Sequence, residues 1–364
     1  MASARPARCR ACRAASPAPV LDLGEVAAAD AFPPATAPVT AAETANPLVM
    51  VVCGSCGLAQ LADDRTVPAE PRGIEPLALR AQAAAAVARV AAAGLLTGRT
   101  VREFGSPHGG SWLPALEERG LGVTAGAADV VVDSFGLMHE PDQRAAIARR
   151  VAATAPEGVL LVQFHSLLAI VARGQWNVLR HGHFGYYSLT VLRRLLREAG
   201  MTVLTAWEFD LYGGTVLLAA VPGPRSPDPL VARILHAERG LADPGVLRRL
   251  QRAADDDARG LHAWLASEAA AGHRIFAYGA ASRSVALFHR AGVDRRLLRA
   301  VADASPAKQG RRMPGTDIPV ISPEELVAAR PDRVFLTLPE LLPELIEQYG
   351  ELSEEWVVSW PDAG

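Results

Sequence analysis

ADVVVDSFG (residues 128–136), PDQRAAIARRVAATAP (141–156) and GVLLVQFH (158–165) follow one another with almost no spacer. The outer two are continuous β-branched and apolar runs, the pattern of strands buried on both faces. The middle one is amphipathic at helical spacing. Buried strands alternating with helices imply a parallel sheet covered on both faces, and hence an α/β fold.

Working outward, TVREFG (100–105) reads as a strand running into a glycine turn and SWLPALEERG (111–120) as the next helix. Residues 66–98 are Ala-rich and helical in pattern. Downstream, a polar stretch from Leu168 to Ser188 breaks the alternation. VLRRLLREAGM (191–201) then reads as a helix, and TVLTAWEFD (202–210) and GTVLLAAV (214–221) as strands. A long helical connector follows the Pro/Gly-rich PGPRSPDP (222–229). The α/β pattern resumes with RIFAYGAA (274–281), SRSVALFHRAG (282–292), RAVADAS (299–305) and PDRVFLTLP (331–339). The expected organisation is a module at 1–65, an α/β domain at 66–222, a connector at 223–270 and a second α/β domain at 271–364.

All four cysteines lie in the first module, as Cys9-Arg-Ala-Cys12 and Cys53-Gly-Ser-Cys56. A two-residue spacing lets both thiolates of a turn reach one tetrahedral ion, and two such knuckles close a Cys₄ site. With no position open for water, such a Zn(2+) site is structural. Two disulfides or a redox pair are the competing readings. The segment between the knuckles is rich in Pro and Ala, so metal binding is expected to substitute there for a small core.

The 364 residues carry a formal net charge of −2, and half are hydrophobic. A near-neutral chain offers no electrostatic footprint for nucleic acid or an anionic membrane. No apolar run reaches the roughly 18 residues that a membrane helix needs. Met1–Arg13 lacks the apolar core of a secretory signal, so a cytoplasmic location is expected. Arginine vastly outnumbers lysine, and Lys308 is the sole lysine. Such a survivor suggests a need for a compact ammonium, with chance survival as the alternative.

Two strand-to-helix turns carry glycine. They are Glu103-Phe-Gly105-Ser106-Pro-His108-Gly109-Gly110 and Ala277-Tyr278-Gly279-Ala280-Ala281-Ser282-Arg283. At the carboxyl ends of parallel strands such turns admit ligands, although glycine also simply shapes turns. Arg283 beyond the second turn, and Lys308 and Arg312 in the loop from Asp303 to Gly315, suit a phosphate or diphosphate. The densest polar cluster is Arg180-His181-Gly182-His183-Phe184-Gly185-Tyr186-Tyr187-Ser188. Imidazoles and phenols in an irregular loop suit general acid/base work. A structural role and metal binding by His181 and His183 are the alternatives.

Together these features resemble the sugar C-methyltransferases that act on nucleotide-activated keto-deoxysugars in antibiotic biosynthesis. The likeness covers nearly the whole chain. It rests on the paired Cys-x-x-Cys around Leu21-Asp22-Leu23-Gly24 and on Gly279-Ala280. Its longest part is Asp303-x-x-Pro306-x-Lys308-Gln309-Gly310-x-x-x-Pro314-Gly315-x-x-Ile318-Pro319-Val320. The resemblance implies a truncated Rossmann-like methyltransferase domain binding S-adenosyl-L-methionine through Glu103, Gly105, Ser106, His108, Gly109 and Gly110. It also implies a Rossmann-like C-terminal domain that helps bind the nucleotide sugar. Arg180, Tyr212, Tyr278, Arg283, Lys308 and Arg312 are the expected substrate contacts. By resemblance His183 is the base that makes an enolate beside a sugar ketone, His181 shares its loop, and Tyr186 or Tyr187 lines the pocket. Tyr212-Gly213-Gly214 matches a His-Gly-Gly-like segment.

The chain departs from the family at several places. Pro107-His108 stand where an acidic residue is usual. Gly182 stands for the Glu before the catalytic His, and Arg180 for a Tyr. Residues 70–76 hold no Tyr. About 30 residues that normally carry the second strand and its ribose-binding acid are absent between Val123 and Ala128. Two other readings therefore stand beside methyl transfer: cofactor-free proton chemistry on a keto-sugar, such as epimerisation or dehydration, and non-catalytic sugar-nucleotide binding as an auxiliary protein.

Overall fold

The sheets form where the apolar runs lie. The structure, a computed structural model, describes residues 8–15, 17–66, 77–106, 110–352 and 355–358. Strands β1 (Ala18–Val26), β2 (Asn46–Val52) and β3 (Ala59–Leu61) form an antiparallel meander. Next come β4 (Thr100–Phe104), the two-residue β5 (Gly122–Val123), β6 (Ala128–Ser134) and β7 (Thr154–His165), all mutually parallel. The expected helix over 66–98 is observed as Leu77–Ala92.

The polar stretch after β7 holds a two-residue strand, β8 (Gly185–Tyr186). It crosses to the N-terminal meander and pairs with β3. Strands β9 (Met201–Phe209) and β10 (Thr215–Pro222) form a hairpin, and β10 lies antiparallel against β7. The central sheet is therefore mixed, in the order β5-β4-β6-β7-β10-β9. The strands expected to be parallel, β4, β6 and β7, are so, and the hairpin adds two antiparallel strands, because a short hairpin connection permits only antiparallel neighbours. The direction of the strand order reverses between β4 and β6, which places the ligand-binding crevice of such a sheet at their carboxyl ends.

Helices cover both faces of the central sheet. On one side, residues of the helix Leu77–Ala92 pack on Val101, Val130 and Leu161. On the other, the helices Gln143–Ala153, Leu189–Glu198 and Pro229–Ala237 pack on Val131, Leu160 and Val162. The connector is helical as expected, ending in Arg249–Ala270. The last sheet is all parallel. It comprises β11 (Ile275–Tyr278), β12 (Val301–Ala302), β13 (Val320–Ile321), β14 (Arg333–Leu336) and β15 (Trp356–Val357), in the order β13-β12-β11-β14-β15. Its reversal lies between β11 and β14.

One hydrophobic cluster joins the two ends of the chain. Leu21, Leu23, Leu48 and Met50 of the meander share it with Leu250, Leu261 and Phe288 of the connector and C-terminal domain. The segment between the cysteine knuckles thus has a core, borrowed from residues more than 200 positions away. The expectation that metal alone would hold it is corrected on that ground. Among the described residues no helix is long and apolar enough to cross a membrane.

Candidate functional site

The four cysteines converge as their spacing requires. Their Sγ atoms all lie within 4.8 Å of one another, with Cys9–Cys56 and Cys12–Cys53 each at 3.5 Å. A tetrahedral zinc with sulfur at about 2.3 Å needs sulfur–sulfur edges of about 3.8 Å, so the set fits the ion. Gly57, at φ +80°, supplies the left-handed turn of the second knuckle, and a Cβ there would crowd Ala242 at 3.3 Å. The knot is buried against the helix Leu189–Glu198, and Arg194 of that helix donates to the Ser55 carbonyl at 2.7 Å.

At the carboxyl end of β4, Gly105 is exposed with open space where a Cβ would stand. That suits close approach by a ligand. Glu103 is turned elsewhere. Its two oxygens accept from Ser111 Oγ and the Trp112 amide, both at 2.6 Å, and so fix the entry to the following short helix. Ser106 and Gly110 flank the turn, Gly110 at φ +83°. His108 and Gly109, like residues 70–76, lie outside the described residues. The two-residue β5 continues through Thr124-Ala125-Gly126-Ala127 straight into β6, with no carboxylate in the turn. Arg102 occupies that neighbourhood and donates to the Ala125 carbonyl at 2.7 Å. The open Gly105 at the carboxyl end of β4 leaves room for a ligand, whereas the turn from β5 to β6 carries no acid to grip a ribose.

The loop 180–188 lies across the ends of β6 and β7. The Phe184 amide donates to the Met138 carbonyl at 2.6 Å, and the Leu167 amide to the Tyr187 carbonyl at 2.8 Å. This brings His183 edge-on to His139, with ring centroids 4.6 Å apart. Arg180 Nε donates to His183 Nε2 at 2.7 Å. Gly182 has φ +78°, a conformation that a Glu would adopt only under strain. Its amide donates to Asp64 at 2.6 Å.

The other side chains of that loop are committed to buried hydrogen bonds, and Tyr186 and Tyr187 line the small crevice beside Phe135 and His165. His181 is buried, donates from Nε2 to the Pro47 carbonyl at 3.2 Å, and has its basicity lowered by burial. Tyr186 donates to the Val178 carbonyl and accepts from the Arg180 amide. Tyr187 donates to Gln143 and the Leu137 carbonyl. Burial pushes both phenols up, so neither ionises readily. These three side chains brace the loop, whereas His183, Arg180 and His139 gather at its rim.

A second cluster closes over the same strand ends. Tyr212, at φ +51°, stacks on His165 at 5.7 Å, and Phe135 packs edge-on against His165 at 5.0 Å. Gly213 and Gly214 must be glycine: a Cβ would meet Gln175 at 2.0 Å in one case and Ala169 at 2.5 Å in the other. From the C-terminal domain Arg283 reaches over the Tyr212 ring at 6.0 Å and pairs with Glu340. The two domains therefore meet at the strand ends of the central sheet. The crevice between Phe135, Met138, His165 and Tyr187 has a volume of only about 10 Å³.

The other expected substrate contacts are committed to the fold. Arg312 is 2% exposed and donates to both oxygens of Glu43 and to the Ala37, Pro38 and Thr316 carbonyls. Lys308 is buried, donates to the Ala280 carbonyl at 2.9 Å and sits over the Phe32 ring. The Ala280 amide is taken by Asp303 at 2.7 Å, and Thr337 Oγ1 donates to the Gly279 carbonyl at 2.6 Å. The reversal point of the C-terminal sheet is thus filled by the chain's own groups. Tyr278 lies in an aromatic cluster with Tyr349 and Trp356. Of the expected phosphate contacts in this domain, Arg283 alone stands at the junction of the domains.

Two features escaped the sequence reading. Asp133, fully buried at the end of β6, is paired with buried Arg150, which also stacks on Phe104. An Asp closing an apolar strand was the available signal. His165, the last residue of β7, was the other; a polar residue at the carboxyl end of a parallel strand marks the ligand side of the sheet.

Two family models match the chain. The "Putative zinc binding domain" matches residues 9–70, and the "C-methyltransferase C-terminal domain" matches 210–361. The C-methyltransferase NovU of Streptomyces niveus is 28% identical over 233 residues, which are 63% of this chain and 56% of that protein. The match thus spans little more than half of the relative's length. Among solved structures, the mitomycin 7-O-methyltransferase MmcR overlaps at TM-score 0.32 and 15% identity, over 39% of this chain and 53% of that one. The magnesium protoporphyrin IX methyltransferase of Synechocystis PCC 6803, with bound S-adenosylmethionine, overlaps at TM-score 0.30 and 16% identity, over 42% and 86%. Both overlaps are too loose to bear on the chemistry of this chain.

Proposed function

We propose, from the premise that this chain carries the zinc-binding and C-terminal domains of the C-methyltransferases, that it transfers a methyl group to a carbon acid of a nucleotide-activated keto-sugar. One observation carries the reading. Imidazoles of two clusters, His183 with His139 and His165 with Tyr212, lie by the carboxyl ends of β6 and β7, with Arg180 bonded to His183 and Arg283 of the C-terminal domain over the Tyr212 ring. A base beside an anion-binding guanidinium is what removal of a proton next to a sugar ketone requires.

In this reading His183 takes the proton. Its Nε2 accepts from Arg180, so the lone pair is released when a substrate phosphate claims the Arg180 guanidinium. Arg283 binds the same substrate from the other domain. Gly105, Ser106 and Gly110 form the cofactor turn. S-adenosylmethionine, when bound there, supplies an electrophilic methyl group.

The missing ribose acid favours a second reading, in which the same rim binds a sugar nucleotide without transfer. Calorimetry with millimolar S-adenosylmethionine, followed by mass spectrometry of a keto-sugar incubated with methyl-labelled cofactor, separates the two. Heat and label transfer support the transferase. Sugar-nucleotide binding with no cofactor heat and no label overturns it.

A further inference from the structure

The strongest unassigned feature is a cavity of about 490 Å³ between the second cysteine knuckle and the helix Leu189–Glu198, away from the rim histidines. That size lies within the range of small-molecule sites. Its walls carry Arg193, Arg194, Arg197 and Arg239, and one acid, Glu238. The acid does not offset them. Glu238 is buried, and its oxygens accept from the Leu189 amide, the Thr190 amide and the Thr190 hydroxyl at 2.6–2.8 Å. Arg194 is balanced by Glu198 at 3.0 Å. The exposed side chains of Arg193, Arg197 and Arg239 have no ion-pair or hydrogen-bond partner among the described residues.

Arg193 and Arg197 stand four residues apart on one helix, where like charges repel. Leu167, Val191, Leu235 and Leu241 contribute apolar surface to the same cavity. An apolar floor under an unbalanced guanidinium rim selects a molecule with a flat apolar group and more than one negative charge. Arginine forks match phosphate oxygens two at a time.

We propose that this cavity is a second ligand site, which binds a nucleoside diphosphate through Arg193, Arg197 and Arg239. The ligand is a free nucleotide, since the sugar substrate's own phosphate is read at Arg180 and Arg283. Its phosphates neutralise the three guanidiniums and its base covers the leucines. The position ties occupancy to the knuckle, because Ser55, Cys56 and Gly57 form one wall.

Equilibrium binding of thymidine diphosphate to the full zinc-loaded chain tests this, with thymidine, inorganic diphosphate and a thymidine-diphosphate sugar as further probes. The wild type is expected to bind the diphosphate saturably and thymidine far more weakly. Arg193→Ala/Arg197→Ala is expected to weaken binding about ten- to hundredfold, and Arg239→Ala, on the opposite wall, about tenfold. The thymidine-diphosphate sugar is expected to bind this cavity much more weakly than the free nucleotide. Binding unchanged in both cavity variants, sugar-form binding as tight as that of the free nucleotide, or no saturable binding would overturn the proposal.

Discussion

Arg312 and Glu43 form a two-pronged ion pair, with each Nη of the guanidinium 2.7 Å from a different carboxylate oxygen. The pair fastens the C-terminal loop to the N-terminal module across 269 positions of sequence. The Gly315 amide adds a third bond to the same carboxylate, at 2.6 Å. Removing Glu43 leaves a buried cation uncompensated. Glu43→Ala is therefore expected to cost about 3–5 kcal/mol in denaturant unfolding, and an unchanged midpoint would remove the clamp from the account.

The same pair sets an acid limit. Burial works against ionisation of Glu43, but its bonds to Arg312 and Gly315 outweigh burial and hold the carboxyl below its usual range. A depressed folded value means that folding favours the charged form. The contribution is complete above the ordinary glutamate range, near ~4.3, and is lost as pH falls from there through the lower folded value. Melting temperatures between pH 6 and 3 should fall less steeply in Glu43→Gln than in the wild type.

Metal removal should act locally first. One zinc per chain is expected by elemental analysis, and Cys12→Ser or Cys53→Ser should lower that stoichiometry sharply. Hydrogen exchange after chelation should accelerate at residues 9–14 and 53–58. It should leave β1 and β2 protected, because their apolar residues are buried against the connector helix Arg249–Ala270. Collapse of protection throughout β1 and β2 would mean that the ion, not the shared core, holds the meander.

The two histidines of the rim loop should separate by function. On the transferase reading His183→Ala lowers kcat by about 10²- to 10⁴-fold, while His181→Leu stays within a few-fold of the wild type. His181 should instead show in stability. Burial lowers its basicity, so its folded state favours the neutral ring. Stability is then full above the ordinary value near ~6.5 and declines as pH drops below it. A flatter melting profile between pH 7 and 5 in His181→Leu checks this. Equal losses of kcat in both variants would refute the assignment of roles.

Lys308 has a compact ammonium where space is tight, between the Ala280 carbonyl, Asp303 at 3.8 Å and the Phe32 ring. Lys308→Arg overfills that space and is expected to destabilise by about 1–3 kcal/mol. Amine-reactive acetylation of the native protein should spare this side chain, which is 7% exposed, until the fold opens. Modification at the rate of a free lysine would show the opposite.

Much of the architecture was legible because it is locally encoded. The period of ADVVVDSFG and GVLLVQFH set strands buried on both faces, and β6 and β7 are parallel neighbours. The spacing of Cys9, Cys12, Cys53 and Cys56 set a tetrahedral ligand group, because a two-residue gap fixes the reach of each pair whatever surrounds it.

What the sequence left open was decided by partners far along the chain. Arg312 has the look of a phosphate ligand in its Gly/Pro loop, yet Glu43 claims it. Tyr278 ends a strand where a pocket residue would stand, yet Tyr349 and Trp356 pack against it. His181 and His183 are two residues apart and read alike, but one faces Pro47 and the other Arg180. A sequence records how polar and how bulky a residue is, and so whether it needs burial or a partner. Which partner satisfies it depends on the packing of elements hundreds of residues apart, and only the folded chain supplies that.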